Sequence, residues 1–534
     1  MISMIFMKGF RSILYILPFF MACCSCSLKS DSTIFNKTAT LTIQQKLKAI
    51  LQTPNLQSLG LNELQISWMQ EFYSERFFNP IWCNDTTLNE EGRQMKNALS
   101  RSLWFGIPAN RLKFEIKPDR IWLEEEVLNT AKLAIFLTDI RNGFLDFEQK
   151  KYTDKVFVSK KILNEFLQSK RSETVDELLL SQGPRDSNYV NLSRQIYQYC
   201  EKYSVDSTTF SVLATRLDSV KSHFQATQAL FSKGYLKTKN TDITDFTVAL
   251  KLYQQHNGLK SDGVIGKYTV IALNESTYSK ILRAALALDK LRREKSYPPK
   301  CIRINIPEYL LRFYVNDSLK STHRMVVGNV ENQTPELISK INKIIVYPYW
   351  NVPNSIARKE ILPILKRSPN YLARNNMKIY RNSTRINPYR VNWRRIRKNT
   401  FPYSIRQDPG PTNSLGILKF EFFNNYNVYV HDTPSKHLFD SDIRAFSHGC
   451  MRCEFPIELA KLILDYDSIS GRRNPITSDS LDSMLLKVEN RPFPLKDPIP
   501  IFIEYTSVCA NRDGILFYLD IYKREEDFLK IMKE

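Results

Sequence analysis

The residues most able to do chemistry are gathered in one short stretch of the chain. His431 is followed, after fifteen intervening residues, by the run Ser447-His448-Gly449-Cys450-Met-Arg452. Three of the six histidines of the protein lie within twenty residues of Cys450. A cysteine attacks as its thiolate, and a nearby imidazole or guanidinium lowers the pKa of the thiol. The pattern is therefore compatible with nucleophilic catalysis by Cys450, activated by a neighbouring group such as His431.

Local sequence features favour bringing these groups together. His431 ends a predicted strand, residues 427–431, and a hairpin-like return would carry Cys450 back beside it. Gly449 permits a tight turn, in which N–H groups around Gly449 and Cys450 would face a developing oxyanion. Arg452 is two positions after Cys450, so an extended chain puts it on the same side, where it would hold an anionic substrate group.

Other interpretations of these cysteines stay open on residue types alone. A lone cysteine is often a buried small hydrophobe, and Cys450-Met-Arg-Cys453 has the spacing of a redox or metal half-site. Zinc normally needs four ligands, however, and no second CxxC occurs beyond the N-terminal region. We therefore interpret Cys453 as a packed thiol. The predicted chemistry needs no metal and no organic cofactor.

The elements ahead of this stretch are of two kinds. From about residue 41 to 200, apolar residues are spaced three and four apart, as in 41–51 and 123–140, which predicts a helical scaffold. A smaller unit follows, with helices predicted at 217–230, 245–256 and 267–273 and three glycines in the turn before the last helix. Residues 278–293 are predicted to form a connecting helix.

From about residue 300 the apolar period becomes that of strands. Strands are predicted at 301–306, 309–315, 324–327, 341–347, 417–422, 427–431, 499–505 and 514–521. Residues 354–412 interrupt the pattern with many Arg, Asn and Tyr and with six prolines. A long irregular insertion between strands is usually functional and is often a lid.

The N-terminus has the pattern of an export signal. Lys8 and Arg11 precede an apolar run, residues 13–22, which is too short to span a bilayer but fits a signal peptide. A small residue directly before a cysteine is how a lipoprotein signal ends, so Cys23 is the predicted lipidation site and Cys26 the runner-up. An ordinary cleaved signal is the alternative. We expect a location in the cell envelope, on the periplasmic side, with a lipid anchor to a membrane.

Composition and charge narrow the function classes. Lys and Arg total 76 against 55 Asp and Glu, a formal charge of +21, and 43% of the residues are hydrophobic. Such a chain is globular, and its basic excess suits an anionic partner. We interpret the charge as spread along the chain rather than gathered in one motif, which, with the export signal, disfavours a nucleic-acid partner. Six cysteines after the signal do not make a disulfide framework, although one or two bridges remain open.

The small helical unit resembles the three-helix peptidoglycan-binding domain family. The resemblance covers about 65 residues and rests on the Gly234-Tyr-Leu turn, a helix ending in Gln254, and the DGxxG loop that starts at Asp262 and precedes Thr269. It implies a wall-binding module. The same bundle could equally serve only to pack the enzyme, and the residues do not decide between these roles.

The cysteine stretch resembles the L,D-transpeptidase catalytic domain of the YkuD type, whose motif is a His followed by [S/T]HGCxR. The flanks are similar to the large, multidomain YcbB-type branch of that family, from the N-terminal region to the tail. The shared stretches include 347–353, 360–363, 406–407, 409–411, 419–420, 431–434, 72–73, 105–108 and 500–505. One departure is Cys453, where the family more often has an acidic or apolar residue.

The resemblance implies roles for individual residues of this chain. Cys450 is expected to be the nucleophile and His431 its base, while His448 and Gly449 shape the oxyanion pocket and Arg452 supports the substrate side. The group that orients His431 stays open, a backbone carbonyl near Asp432 being one option. The residues expected to contact substrate are Tyr429, Ser447, Trp350 and Asn351.

The implied reaction joins peptidoglycan tetrapeptide stems, as donor and acceptor, into 3→3 cross-links through a cysteine thioester, with L,D-carboxypeptidase side activity. The implied fold is multidomain α+β: a helical scaffold, a three-helix peptidoglycan-binding-like bundle and a mainly β catalytic domain with a capping insert. The rival hypothesis is a non-catalytic, lipid-anchored peptidoglycan-binding envelope protein. The expected divisions are a signal peptide 1–26, a tether 27–40, a scaffold 41–205, the bundle 206–276, a linker helix 277–298, the catalytic domain 299–505 with its insert 354–412, and a C-terminal strand and tail 506–534.

Overall fold

The computed structural model describes residues 41–84, 86–114, 122–169, 173–293, 297–469, 472–473, 475–511 and 514–533. The predicted signal peptide, the tether and the lipidation site Cys23 lie outside these residues. No helix within the described ranges is both long and apolar enough to cross a membrane. The architecture is multidomain α+β, which confirms the predicted fold class.

The N-terminal unit is helical. Thr42 and Asn62 cap the first and third helices with capping boxes. In each box the cap side chain accepts from the backbone N–H of Gln45 or Gln65, and the side chain of that glutamine accepts from the N–H of the cap residue. Aromatic side chains such as Phe72, Trp82 and Phe136 are fully buried in its core. Its α-helices are Ile43–Ile50, Thr53–Ser58, Glu63–Glu75, Glu90–Ser100, Trp122–Asn142, Lys160–Gln168, Val175–Leu180 and Ser187–Lys202, with 3-10 turns at Ser102–Phe105 and Ala109–Leu112 and a strand pair Leu145–Asp146 and Lys151–Tyr152.

The predicted linker helix, Thr277–Arg293, is a central element rather than an exposed connection. Its apolar residues from Ile281 to Leu288 are buried in the same core as the scaffold helices. Its charged residues bind each neighbouring unit: Arg283 donates to Ser507 Oγ at 2.9 Å, and Asp289 accepts from the backbone N–H of Phe144 at 2.7 Å. This helix therefore ties the scaffold to the C-terminal segment.

The C-terminal segment also packs on the scaffold. Strands Val508–Asn511 and Gly514–Phe517 form an antiparallel pair, and the helix Glu526–Lys533 follows. Val508, Phe517 and Phe528 belong to the scaffold core. The predicted strand 514–521 is thus real but ends at Phe517, and the chain returns to its N-terminal unit after leaving the sheet.

The three-helix bundle consists of Ser219–Ser232, Ile243–His256 and Lys267–Asn274 around a core of its own. Gln254, near the end of the second helix, has its side chain buried against the turn that precedes the third helix. Its Nε2 donates to Asp262 Oδ1 and to the Val264 carbonyl, both at 3.0 Å, and to Thr269 Oγ1 at 3.2 Å, while its Oε1 accepts from the Gly263 N–H at 2.8 Å. The residues that carry the peptidoglycan-binding resemblance thus hold this loop together.

In the part that the structure describes, residues 301–504 contain a sheet of nine strands. In chain order they are β1 Cys301–Asn305, β2 Leu310–Val315, β3 Ser318–Gly328, β4 Leu337–Val346, β5 Leu418–Phe422, β6 Val430–His431, β7 Ala445–Ser447, β8 Met451–Cys453 and β9 Arg491–Glu504. The spatial order is β7-β3-β8-β6-β5-β4-β9-β1-β2, and β2 also pairs with β3, which closes the sheet on itself. Helices Pro456–Asp465 and Ser478–Leu486 pack into its core. A short strand pair, Ser468–Ile469 and Arg472–Arg473, lies between them.

The strand before Cys450 differs from the prediction. Only Val430 and His431 of the predicted strand 427–431 are paired, because Asn427 has a positive φ of 56° in a turn. β6 and β8 are parallel neighbours, with Val430 opposite Met451 and His431 opposite Arg452. The predicted hairpin-like return is therefore wrong: the chain leaves the sheet after His431 and re-enters beside it in the same direction.

Residues 354–412 form an ordered subdomain, not the irregular insertion that was predicted. Its four-stranded sheet has the order Trp350–Asn351, Ser404–Gln407, Met377–Arg381, Thr384–Ile386. Its helical segments are Asn354–Ile356, continuing through a π turn Ala357–Ile361 into Leu362–Leu365, then Tyr371–Arg374 and 3-10 turns at Pro388–Arg390, Trp393–Arg395 and Lys398–Thr400. Leu362, Ile379 and Trp393 are buried in a separate core. The strands of this subdomain are so short, and so interrupted by prolines and polar residues, that the sequence shows no clear alternation of apolar and polar residues.

Candidate active site

A cleft of about 770 Å³ lies where β6 and β8 meet the insert. Residues of the sheet form its floor, the loop before β8 forms one wall, and the start of the insert forms the opposite wall. All the predicted site residues except Gly449 and the undescribed Cys23 line it. They are Cys450, His431, His448, Arg452, Tyr429, Ser447, Trp350 and Asn351.

Strand register explains why the reactive side chains share this cleft. The paired residues Val430 and Met451 are both fully buried in the core of the sheet. Because side chains alternate along a strand, His431 and Cys450, one position away on each side, point to the opposite face. In this register Cys450 is the diagonal neighbour of His431, a separation of roughly 7–8 Å between Cα atoms that side chains can bridge. The two predicted partners thus lie on one face of adjacent strands.

The imidazole of His431 is buried and has a defined orientation. Its Nδ1 lies 2.5 Å from the carbonyl oxygen of Asp432. A carbonyl only accepts, so Nδ1 carries the hydrogen and Nε2 is the basic nitrogen of the neutral ring. Burial, with the positive charge of Arg452, lowers the pKa of His431 to about 3. The orienting group left open by the sequence is therefore a backbone carbonyl in this structure, and the ring is neutral near pH 7.

The side chain of Asp432, the residue whose carbonyl contacts the His431 ring, is itself held by hydrogen bonds. Its side chain accepts from the Ile417 N–H at 3.0 Å and from Lys436 Nζ at 2.5 Å. The adjacent Gly416 has a φ of +61°, and a Cβ there would come within 2.3 Å of the Asp432 carboxylate. These contacts fix the backbone that holds the His431 ring.

The thiol of Cys450 is half-buried, and its surroundings differ from the expectation. Burial raises the pKa of Cys450 above its usual value, and hydrogen bonding from Tyr429 and the charges of Lys419 and Arg452 offset this only in part. Its Sγ contacts the Asn427 carbonyl at 3.9 Å. The predicted lowering of the thiol pKa is therefore wrong: the pKa of the thiol is raised and that of the imidazole is lowered, which favours the neutral form of each near pH 7.

Residues 447–450, which carry the predicted nucleophile, are here called the nucleophile loop, and their backbone groups are partly hydrogen-bonded. Ser447 is buried, and its Oγ donates to the Cys450 carbonyl and accepts from the Gly449 N–H at 3.2 Å. Thr334 Oγ1 donates to the Gly449 carbonyl at 2.9 Å. Within the described ranges no acceptor is bonded to the Cys450 N–H. The backbone N–H that the loop leaves unpaired is thus that of Cys450, whereas Gly449, with φ +105°, supplies the turn.

Arg452 is placed on the cleft face beside His431 and has few partners. Its Nε is buried and has no hydrogen-bond partner among the described residues. Burial lowers the pKa of this guanidinium, and the sulfur of Cys450 is the group that raises it. An uncommitted guanidinium in a cleft is suited to a carbonyl or carboxylate of a bound substrate.

The insert is joined to the nucleophile loop by one ion pair. The Nε2 of His448 lies 2.5 Å from Glu360 Oε1, and both side chains are partly exposed. Trp350 and Asn351 form the edge strand of the insert sheet, paired with Gln407 and Arg406. These two predicted contact residues therefore belong to the insert wall, and the side chain of His448 reaches across to that wall.

Two residues of the site were missed by the sequence analysis. Lys419 is paired with His431 across β5 and β6, and its Nζ lies 4.2 Å above the Tyr429 ring. Glu360 approaches from the insert. The alternation in β5 would have placed Lys419 on the face opposite the buried Leu418 and Phe420, but no sequence signal links residues 360 and 448.

The other cysteines do not form a second reactive centre. Cys453 is fully buried, which raises its pKa, and it packs in the core of the sheet. The six cysteines in the described part of the chain are all free thiols. No group of three or more His, Cys, Asp or Glu residues there could hold a metal ion.

Two stretches of this sequence match known domain families. The sequence profile of the L,D-transpeptidase catalytic domain, the YkuD family, matches residues 299–477. Residues 299–477 are an L,D-transpeptidase catalytic domain. A second profile, that of a scaffold domain, matches residues 67–196. Both predicted units are confirmed at this level, while membership of the narrower YcbB-type branch stays a prediction.

A relative from Haemophilus influenzae, which bears the name "Putative L,D-transpeptidase", is 32% identical over 222 residues. The match covers 41% of this chain and 44% of that protein. The L,D-transpeptidase domain of this chain continues structurally beyond the matched residues, because β9, which ends at Glu504, pairs with β1 and β4 inside the same sheet.

Proposed function

We propose that this protein is a cysteine-dependent L,D-transpeptidase that forms 3→3 cross-links between peptidoglycan stem peptides. The observation that carries the proposal is the shared cleft of Cys450, His431 and Arg452 within an L,D-transpeptidase domain. Cys450 is the nucleophile and His431 the general base. The donor is a tetrapeptide stem, and its third residue provides the acyl group.

In the first half-reaction, Cys450 Sγ attacks the carbonyl carbon of the third residue, at its L-centre. His431 Nε2 takes the thiol proton as the S–C bond forms and returns it to the departing D-alanine amine as the C–N bond breaks. The Cys450 N–H is the available donor to the tetrahedral oxyanion. The product is a thioester on Cys450 and free D-alanine.

The neutral resting state determines how the proton moves. A thiol with a raised pKa and an imidazole with a lowered pKa do not form an ion pair in the free enzyme. Proton transfer must therefore accompany the attack, when the substrate excludes water and the developing charge on Sγ is stabilised by Arg452 and Lys419. Keeping the thiol protonated between turnovers also reduces its oxidation.

In the second half-reaction, an amine on the third residue of a neighbouring stem attacks the thioester. His431 accepts a proton from that amine, and Cys450 leaves as the thiol. Water competes for the same thioester, which gives L,D-carboxypeptidase activity as the side reaction. The insert wall formed by Trp350, Asn351 and Glu360 supports the bias toward the amine because it covers one side of the cleft.

We also propose an envelope location on the periplasmic side, with a lipid anchor at Cys23. The signal-like sequence supports this, since it ends in a small residue before a cysteine. A soluble tether of residues 27–40 would then carry the folded part away from the membrane. Nucleic acid is not expected as a partner in that compartment.

The test is the formation of 3→3 dimers from purified tetrapeptide muropeptide. Wild-type protein should produce dimers that lack one D-alanine, whereas Cys450→Ala should produce none while keeping its thermal unfolding temperature. Cys453→Ala is the matched control, because that thiol is buried away from the cleft. Undiminished dimer formation by Cys450→Ala would contradict the proposal and favour the non-catalytic, wall-binding alternative.

A further inference from the structure

The positive charge of the chain is concentrated in the insert, contrary to the even distribution assumed from the sequence. Residues 354–412 contain fourteen Lys and Arg and two acidic residues, a net charge of +12 within the +21 of the whole chain. Both acidic residues are already paired, Asp408 with Lys378 and Glu360 with His448. Ten of the fourteen basic residues are exposed, so the insert is strongly and openly cationic.

Part of this charge lines a concave surface. Two adjoining hollows of about 570 and 580 Å³ share the residues Arg385, Ile386 and Asn387. Arg381 and Arg390 border the second hollow and Tyr389 the first. We call this continuous depression the basic trough and define it by Arg381, Arg385, Asn387, Tyr389, Arg390 and Asn392.

The guanidinium groups of the trough are uncommitted. Within the described residues, none of Arg381, Arg385 and Arg390 has a side-chain hydrogen bond or an ion pair, and all three are exposed. Like charges held close together destabilise a small subdomain unless an anion is bound. A concave surface also concentrates the field, which raises the local concentration of anions.

The trough is positioned to extend the cleft. Trp350–Asn351, the strand that lines the cleft, is at one edge of the four-stranded insert sheet, and Thr384–Ile386, which borders the trough, is at the other. Three strand spacings separate these edges by roughly 14 Å. A monomeric stem peptide that fills the cleft need not reach the trough, whereas a polymer continuing from the cleft across the insert would.

We propose that the basic trough binds the carboxylates of a peptidoglycan strand whose reacting stem occupies the cleft. The proposal rests on the proposed function and names a second subsite for the same substrate. Arginine forks match carboxylates by paired hydrogen bonds, and the neighbouring Asn and Tyr side chains suit sugar hydroxyl and peptide groups. The trough therefore selects polymeric over monomeric substrate.

Other anionic partners fit this surface less well. A bilayer surface is flat and is usually bound through exposed apolar anchors together with cations. Of the large apolar or aromatic side chains in the insert, those well exposed are Ile364 and Tyr389. Single-stranded nucleic acid is bound by successive aromatic faces, and the trough presents one exposed tyrosine.

The experiment uses the full mature chain and a triple variant, Arg381→Gln, Arg385→Gln and Arg390→Gln. The matched control is Arg394→Gln, Arg395→Gln and Arg397→Gln, which removes the same charge from exposed positions of the insert outside both hollows. Binding to purified, acid-stripped peptidoglycan should fall roughly tenfold in the trough variant and about twofold in the control, since each exposed ion pair contributes modestly. Cross-linking of isolated tetrapeptide should be unchanged in both.

Two further measurements, binding to amidated peptidoglycan and binding to anionic vesicles, keep the outcomes distinct. Amidation of the stem carboxylates should remove the difference between wild type and trough variant. Equal binding by both triple variants would overturn the inference while leaving the reaction at Cys450 intact. Loss of binding to vesicles of anionic phospholipid in the trough variant, with peptidoglycan binding unchanged, would overturn it in favour of a membrane partner. If the trough variant bound peptidoglycan less tightly but the wild-type protein formed no cross-links, the binding site in the trough would be supported and the proposed function would be rejected.

Discussion

The nucleophile loop and the turn of the three-helix bundle both resemble known families, yet they differ in how their polar groups are used. In the bundle, Gln254 satisfies its donors and acceptor within the loop through four hydrogen bonds. In the cleft, the Nε of Arg452 and the N–H of Cys450 have no partner among the described residues. Satisfied polar groups stabilise a fold, whereas unsatisfied ones in a cleft are available to a substrate. A sequence motif alone does not distinguish these two uses.

We expect changes in cleft residues to affect catalysis far more than stability. His431→Ala should reduce the cross-linking rate by about 10²–10⁴-fold, because it removes the base that accepts the thiol proton. Steady-state kinetics on tetrapeptide, with thermal unfolding as a second readout, measure both effects.

The control for this variant is His437→Ala, which replaces an exposed histidine on the same connection. It should leave both readouts unchanged. A His431→Ala protein that retains more than a tenth of the wild-type rate would contradict the role of His431.

A second test concerns the neutral resting state of the cleft. Because the pKa of Cys450 is raised, its thiolate fraction should increase about tenfold per pH unit across pH 6–8 and continue to increase beyond pH 9. The rate of alkylation by iodoacetamide should follow this increase, with no plateau near neutral pH. Arg452→Met removes a cation that lowers the thiol pKa, so its profile should shift to higher pH.

The control for the alkylation profile is Arg394→Met, an exposed arginine in the insert. It should superimpose on wild type. Rapid alkylation that is independent of pH between 5 and 7 would instead show a resting thiolate–imidazolium pair, and the account of the proton transfer would need to be reversed.

In the three-helix bundle we expect the reverse, a loss of stability with little change in catalysis. Gln254→Ala leaves the Gly263 N–H without a partner and removes one of the three hydrogen bonds to the Val264 carbonyl, so we expect about 1–3 kcal/mol of lost stability in residues 206–276. Chemical denaturation with hydrogen exchange over this segment measures it. The rate on tetrapeptide should stay within twofold of wild type.

Gln255→Ala is the neighbouring exposed control and should cost little. A Gln254→Ala protein with unchanged stability but lost peptidoglycan binding would reverse the comparison, because the buried glutamine would then act on ligand rather than on the fold.

The smallest expected effect lies at the junction of the insert and the nucleophile loop. Glu360→Gln removes the charge that faces His448, and a partly exposed ion pair contributes roughly 0–1 kcal/mol. We expect up to about a fivefold increase in KM with little change in kcat, since the insert wall would be held less firmly. Glu331→Gln, beside the same histidine but unpaired among the described residues, is the control.

The sequence predicted most of what is local. The helices at 43–50, 122–142 and 243–256 and the strands around 302, 313 and 420 follow from apolar periodicity, which is strong over long segments. The set of Cys450, His431 and Arg452 followed from motif spacing. These features depend on residues close together in the chain.

Long-range features were not predictable in the same way. The parallel pairing of β6 with β8 depends on the path of residues 432–450, which carries no strand signal. The net pKa of Cys450 depends on burial set by the whole sheet and the insert. The order within residues 354–412 comes from a small separate core whose strands are three to five residues long, below the length at which alternation is informative.

The most direct measurement is the mass of the intact protein after brief incubation with tetrapeptide donor and acid quenching. The expected result is a mass increase equal to the donor minus D-alanine, located on Cys450, removed by hydroxylamine and absent from Cys450→Ala. Cross-link formation with no such adduct under any quench time, or with the acyl group on another residue, would contradict the thioester mechanism.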